Sequence, residues 1–341
     1  MKIDAPLRDL PAANVACEAL RLEELGFDGV WTFETRRDPF LPLMQVALAT
    51  ERMNIGTNIA VAFARSPFAT ALVAWDLQRA SHGRLLLGLG TQVRAHVERR
   101  FSSAFDHPAA RVVDYIRCVR SIWDTYQTGD KPDYEGRYFR FTLINGFFNP
   151  GPIEHPRIPI YLAGVNPRMA QAAGEIADGF SVHPMHSPAY LREVVLPAID
   201  DGARERGLTA SDLVMVADTF VVRGDTPTAL AESEARVRRQ VAFYASTPSY
   251  RRFLEFHGEA DAGKALSALM RAGELDKMPA LVSDKLLAEL AVCEADGDLA
   301  SQIKARYKGG LVQRVTLYEP IESGGHEQAL RKLTRSLHAA G

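Results

Sequence analysis

The chain of 341 residues is poor in cysteine, with Cys17, Cys118 and Cys293 far apart. Three thiols cannot all pair and their spacing matches no metal motif, so a disulfide scaffold and a Cys-ligated metal are both unexpected. Cys17 and Cys118 fall in helical patterns and read as small core residues of a protein in a reducing cytoplasm. Charge of one sign is also missing: 40 Lys and Arg stand against 42 Asp and Glu. Nucleic acid is therefore not an expected partner. The short basic clusters, Arg36-Arg37 and Arg99-Arg100 among them, read as solvated faces or, near a strand end, as anion contacts. No apolar run reaches the ~18 residues a bilayer span needs, and no secretory signal is expected. There is no Gly-x-Ser-x-Gly, no P-loop and no His-Glu-x-x-His. His183 and His186 are three apart but flanked by Pro184 and Pro188, which argues against a helical ligand pair, so no metal site is expected.

What the sequence does have is alternation. Strand-like runs are expected at Lys2–Ala5, Val30–Phe33, Met53–Phe63, Arg84–Gly88, Ile160–Gly164, Phe180–His183, Leu213–Val222 and Val312–Tyr318. Helical patterns fall between them, at Leu10–Leu25, Pro39–Thr50, Pro67–Ser81, Arg111–Tyr126, Ala189–Arg206, Thr226–Tyr244 and Asp298–Tyr307, with a last one at His326–Ala340. Eight almost wholly apolar strands alternating with helices predict a parallel sheet covered by helices, and an α/β (β/α)8 TIM barrel rather than an open doubly wound sheet. The first strand lacks the G-x-G-x-x-G that an open dinucleotide-binding sheet would carry. The whole chain is expected to be one barrel domain with insertions near 127–158 and 247–297. The first insertion carries an aromatic, Gly-punctuated hairpin pattern at Tyr134–Phe148. The second, with weak strand signals, is expected to form helices that lid or extend the barrel.

Barrel ligands sit at strand exits, so the polar residues just past each apolar run are the candidates. Glu34 follows the second strand, and a carboxylate there needs a partner or a task. Its alternatives are proton transfer or a salt bridge to Arg36, Arg37 or a neighbouring loop. Asn58 interrupts the third strand. Gly88-Leu89-Gly90-Thr91-Gln92 ends the fourth, where glycine either admits a flat ligand or permits a barrel corner. His96 follows, and His183 closes the sixth strand. After the fifth strand, Ala163-Gly164-Val165-Asn166-Pro167 opens a helix, a turn whose free N–H groups and helix dipole suit a phosphate.

With these residues in view, the chain resembles the luciferase-like flavin oxidoreductase superfamily. The likeness is carried by Leu25-Gly26-Phe27-Asp28-Gly29-Val30-Trp31, Ile55-Gly56-Thr57-Asn58-Ile59, Gly83–Thr91 and Pro159–Gly164, in that order. Within it, the chain looks closest to the branch that uses the deazaflavin coenzyme F420, and Glu34-Thr35-Arg36-Arg37-Asp38-Pro39-Phe40 with Phe63-Ala64-Arg65-Ser66-Pro67 looks like one actinobacterial-type subgroup of that branch. The resemblance implies a ring across the barrel mouth, backed by a non-prolyl cis peptide at Asn58–Ile59. It implies ring-edge or ribityl contacts at Thr91, Gln92 and His96, and a phosphate at Ala163, Gly164, Val165 and Asn166. Relatives often place an Asp-His pair after the second strand; here the matching pair is Glu34-Thr35. The imidazole is gone, which speaks against a sugar-phosphate dehydrogenase and leaves Glu34 and His183 as the candidate catalytic residues. The expected function is hydride transfer between coenzyme F420 and a medium-sized, fairly apolar substrate. The alternatives are an FMN monooxygenase fed by a separate reductase and a non-catalytic flavin-binding barrel. Relatives are often homodimers, with Phe68, Leu72 and Trp75 as candidate contacts.

Overall fold

The computed structural model of the protein describes residues 1–7, 10–319, 321 and 327–339. Its centre is a closed parallel barrel of β1 (Lys2–Pro6), β2 (Gly29–Thr32), β3 (Asn54–Thr57), β4 (Leu85–Gly90), β5 (Ile160–Gly164), β6 (Gly179–Val182), β7 (Val214–Val222) and β8 (Arg314–Leu317). Each strand pairs with the next, and β8 returns to β1 with Lys2 opposite Arg314 and Asp4 opposite Thr316. The expected α/β TIM barrel is thus the observed fold. Every residue of β2, β4, β6 and β8 is buried, as strands covered on both faces must be.

Six helices matter for the site: α1 (Val15–Glu24), α2 (Leu41–Ala49), α3 (Pro67–Ala80), α4 (Arg94–Arg99), α5 (Pro108–Thr128) and α6 (Pro167–Ile176). Local chemistry sets their starts. The Ser66 hydroxyl accepts from the Ala69 N–H ahead of Pro67, and the Asn166 side chain accepts from the Met169 N–H ahead of Pro167. Each pair combines a cap with a proline that has no N–H to lose.

The structure departs from the sequence expectations at several places. The third strand breaks after Thr57 and resumes only at Ala60–Val61, which pairs with Leu89 and Gly90 of β4. The helix expected at Ala189–Arg206 contains a π-helical stretch, Leu191–Val195. The 247–297 segment is mostly helical but adds a short strand, Ala291–Cys293, which pairs in parallel with the end of β7. In the first insertion the hairpin is confined to Tyr134–Glu135 and Arg140–Phe141. Cys118 is buried, whereas Cys17 lies on the solvent side of α1. Of the three candidate dimer contacts, Trp75 is fully buried, Phe68 is half-buried and packs on Tyr126 and Phe141, and Leu72 is exposed. The last helix is seen at Glu327–His338; the expected ends at His326 and Ala340 lie outside the described residues. Among the described residues no helix is long and apolar enough to cross a membrane.

The main core fills the space between barrel and helices. Inside the barrel, Trp31, Leu86, Tyr161 and Val216 form a plug. A Cβ on Gly56 would lie 2.3 Å from the Trp31 ring, so glycine there makes room for the indole. Around the plug runs a polar network. Arg314 reaches Asp4 with Nε at 2.8 Å and Nη2 at 2.6 Å, the Trp31 indole N–H donates to Asp4 at 3.0 Å, and Arg314 Nη1 donates to Asn54 at 3.1 Å.

Candidate active site

The break in β3 is the organising feature of the barrel mouth. Asn58 donates its N–H to Thr32 O at 2.7 Å, and the Ile59 carbonyl accepts from the Glu34 N–H at 3.2 Å. The Asn58–Ile59 peptide is cis, as the resemblance implied. The Asn58 side chain is fixed from two sides. Its Nδ2 donates to both carboxylate oxygens of Asp218 at 3.2 Å, and its Oδ1 accepts from the Ser181 hydroxyl at 2.6 Å. All three residues are buried, so each polar atom needs these bonds.

The glycines of β4 serve this bulge. A Cβ on Gly88 would sit 1.8 Å from the Thr57 carbonyl oxygen, and one on Gly90 would meet the Ile59 side chain at 2.9 Å. Their absent side chains admit the neighbouring strand. Thr57 completes the seam, donating from its hydroxyl to Gly88 O at 2.6 Å and accepting from the Gly88 N–H at 3.1 Å. Gly164 behaves alike: a Cβ there would be 2.6 Å from Met169, so it is the packing of α6 on β5 that requires glycine.

Glu34 is committed to a partner on a neighbouring loop. Its Oε2 accepts from the Val61 N–H at 2.6 Å and from Arg65 Nη1 at 2.6 Å, while Arg65 Nη2 reaches Asp38 at 3.1 Å. Thr91 and Gln92 are half-buried at the exit of β4. Gln92 has φ of +57° and its side-chain oxygen accepts from the Val93 N–H. His96, on α4, is exposed. Ala163, Gly164 and Val165 are half-buried, and Asn166 emerges at the surface beside Arg168 and Arg252.

His183 is half-buried at the exit of β6. Its Nδ1 accepts from the Met185 N–H at 3.1 Å, which leaves the proton on Nε2, 2.8 Å from the Tyr250 hydroxyl. Burial, with a smaller contribution from His186, pushes its pKa down to about 3, so the ring is neutral at physiological pH. Burial also pushes the Tyr250 phenol up. Tyr244 packs edge-on against His183 at 4.5 Å and joins hydroxyls with Tyr318. His186 donates from Nδ1 to the His183 carbonyl at 2.9 Å and meets Tyr307 through Nε2; burial pushes it to about 3 as well.

The expected residues thus fall at successive exits: Glu34 at β2, Asn58 and Ile59 in β3, Thr91 and Gln92 at β4, Ala163 to Asn166 at β5 and His183 at β6. His96 stands apart on the surface of α4. Sequence reasoning gave no role to Arg65, Ser181, Asp218, Tyr250 or Arg252. Asp218 carried a usable signal, a carboxylate inside the apolar run Val214–Val222. Tyr250 and Arg252 carried none, because their segment has no regular pattern.

Comparisons with known proteins relate the chain to a family and to solved folds. The family model described as luciferase-like monooxygenase matches residues 5–314. An uncharacterized protein of Mycobacterium tuberculosis is 41% identical over 315 residues, covering 92% of each chain. The 5,10-methylenetetrahydromethanopterin reductase of Methanolobus tindarius is 27% identical over 310 residues, 89% of this chain and 90% of that one. Among solved structures, the coenzyme F420-dependent tetrahydromethanopterin reductase from Methanopyrus kandleri superposes with a TM-score of 0.78 at 21% identity, covering 98% of both chains.

Proposed function

The chain belongs to the luciferase-like monooxygenase family, and from that premise we propose that it is an oxidoreductase using coenzyme F420 to move a hydride to or from a medium-sized organic substrate. The observation that carries the reading is the β3 bulge, held by Ser181 and Asp218 from inside the barrel and by Glu34 and Arg65 from the rim. A flat ring needs a rigid floor of this kind, and the floor lies at the end of a barrel where ligands bind.

The residues present fit the coenzyme. Asn58 and Ile59 would support the ring and Thr91 and Gln92 its edge or ribityl chain, while His96, exposed on α4, would reach it only from the outer rim. The phosphate would take the turn at Ala163, Gly164, Val165 and Asn166, where α6 begins and the Arg168 and Arg252 guanidiniums face one surface cleft. When bound, the coenzyme supplies two-electron hydride chemistry at its ring. Glu34 then acts by holding the bulge through Val61 and Arg65. His183, neutral, donates through Nε2 to the Tyr250 hydroxyl, a fixed, uncharged pair near the exit of β6. Proton handling at substrate is assigned to this pair.

Titrating the purified protein with coenzyme F420 and, separately, with FMN tests the proposal by fluorescence quenching. Saturable F420 binding tighter than FMN binding is expected. Preference for FMN would favour a monooxygenase fed by a separate reductase. Indifference to both flavins, or tight F420 binding with no turnover of any substrate, would remove the enzyme reading.

A further inference from the structure

The proposed reading leaves the substrate's chemistry open, and the mouth supplies an indication of it. Between the exits of β1, β2 and β8 lies a cleft of about 290 Å³, near the lower end of the size expected for a small-molecule site. Its apolar wall includes Leu7, Leu10, Phe33 and Tyr318, and its polar rim includes Arg36 and Arg37. Phe33 also packs against the barrel plug, and its neighbour Glu34 bonds the β3 bulge, so the cleft adjoins the place assigned to the ring.

Among the described residues the rim is electrically unbalanced. The two carboxylates of this loop, Glu34 and Asp38, are both taken by Arg65. Asp38 also accepts from the Phe40 and Leu41 N–H groups. Arg100 brings a further guanidinium, donating to the Thr35 carbonyl at 2.8 Å. Arg36 and Arg37 are exposed and have no ion pair, hydrogen bond or ring stack among the described residues. Two unspent guanidiniums over an apolar wall make a fork for a carboxylate or phosphate whose body prefers to leave water.

We infer that this cleft binds an amphipathic organic anion, its apolar body against Leu7, Leu10 and Phe33 and its carboxylate or phosphate on Arg36 and Arg37. Naming that anion as substrate rests on the oxidoreductase reading; the binding itself does not.

Calorimetric titration of the full chain, without coenzyme, with decanoate, decyl phosphate and decanol tests it. One equivalent of at least one anion should bind, about tenfold or more tighter than decanol. That preference should weaken with added salt, and the stronger anion identifies the head group. In the Arg36→Gln/Arg37→Gln variant the preference should vanish, while its melting curve and F420 affinity match the wild type. Equal binding of anion and alcohol, failure of both anions to bind, or an anion preference kept in the double variant would overturn the inference. So would a variant that loses F420 affinity but keeps decanoate. A wild-type chain that binds the anion as described and ignores F420 would instead sink the cofactor reading and leave this one standing.

Discussion

At the residue scale, Glu34 shows how a side chain conspicuous in sequence is put to use. Its carboxylate is mostly buried and joins Arg65 to the Val61 N–H, so its removal leaves a guanidinium and a backbone donor short of an acceptor. Breaking a buried pair from one side costs about 3 kcal/mol or more. Glu34→Ala should lose about that much in urea denaturation, and Glu34→Gln clearly less because its carbonyl can still accept from Val61. Equal losses would show that the charge, not the hydrogen bond, anchors the bulge. The two buried histidines give a pH signature. In the unfolded chain His183 and His186 take up protons near pH 6.5, whereas in the folded chain burial delays this to about 3. The unfolded state therefore binds more protons between those limits, and stability falls as pH drops through that window. The melting temperature should decline from pH 7 to pH 4.5, and less steeply in His186→Asn, which has no proton to gain there. Parallel declines would place the acid sensitivity elsewhere.

At the element scale, the unit that matters is the seam between β3 and β4. A Cβ on Gly88 would meet a backbone oxygen at 1.8 Å and one on Gly90 a side chain at 2.9 Å, although sequence alone presents the two glycines as the same feature. A backbone oxygen in a strand cannot step aside, while the Ile59 side chain can turn. Gly88→Ala should therefore cost about 3 kcal/mol, the upper end for overpacking, and weaken flavin binding, with Gly90→Ala nearer 1 kcal/mol. Similar losses in denaturation curves would mean that the bulge yields more easily than its hydrogen bonds suggest. The helix starts were legible because their causes are local: Ser66-Pro67 and Asn166-Pro167 cap and open α3 and α6 as their residue types require. The break after Thr57 was not legible from the apolar run Met53–Phe63. It depends on Ser181 and Asp218, more than 120 residues away in sequence, and only the family likeness pointed to Asn58–Ile59.

At the scale of the molecule, the barrel closes where β8 meets β1, and the buried Asp4–Arg314 pair sits on that seam. Asp4 also accepts from the Trp31 indole, so Arg314→Met leaves a fully buried carboxylate with one donor where there were several. A loss of about 3–5 kcal/mol is expected, followed by urea denaturation with Trp31 fluorescence as a local probe. The double replacement Asp4→Leu/Arg314→Met removes both charges and should recover a large part of it. If the double variant is no better than the single, the network fixes the shape of the plug and not only its charge balance.

The alternation of apolar strands with helices, the capping residues and the small residues at strand exits were enough to give the (β/α)8 fold, because hydrophobic period and turn chemistry act between near neighbours. They also placed Glu34, Asn58, Thr91, Gln92 and Asn166 at exits, since a parallel barrel puts every strand's end on one face. What each does there was decided by residues distant in the chain. Arg65 claims Glu34, Asp218 and Ser181 orient Asn58, and the Tyr250 hydroxyl accepts the hydrogen bond from His183 Nε2. Hydrogen bonds and ion pairs are short-ranged in space but indifferent to sequence separation, so only the closed barrel could determine which polar groups are committed to one another and which, like Arg36 and Arg37, have no partner among the described residues.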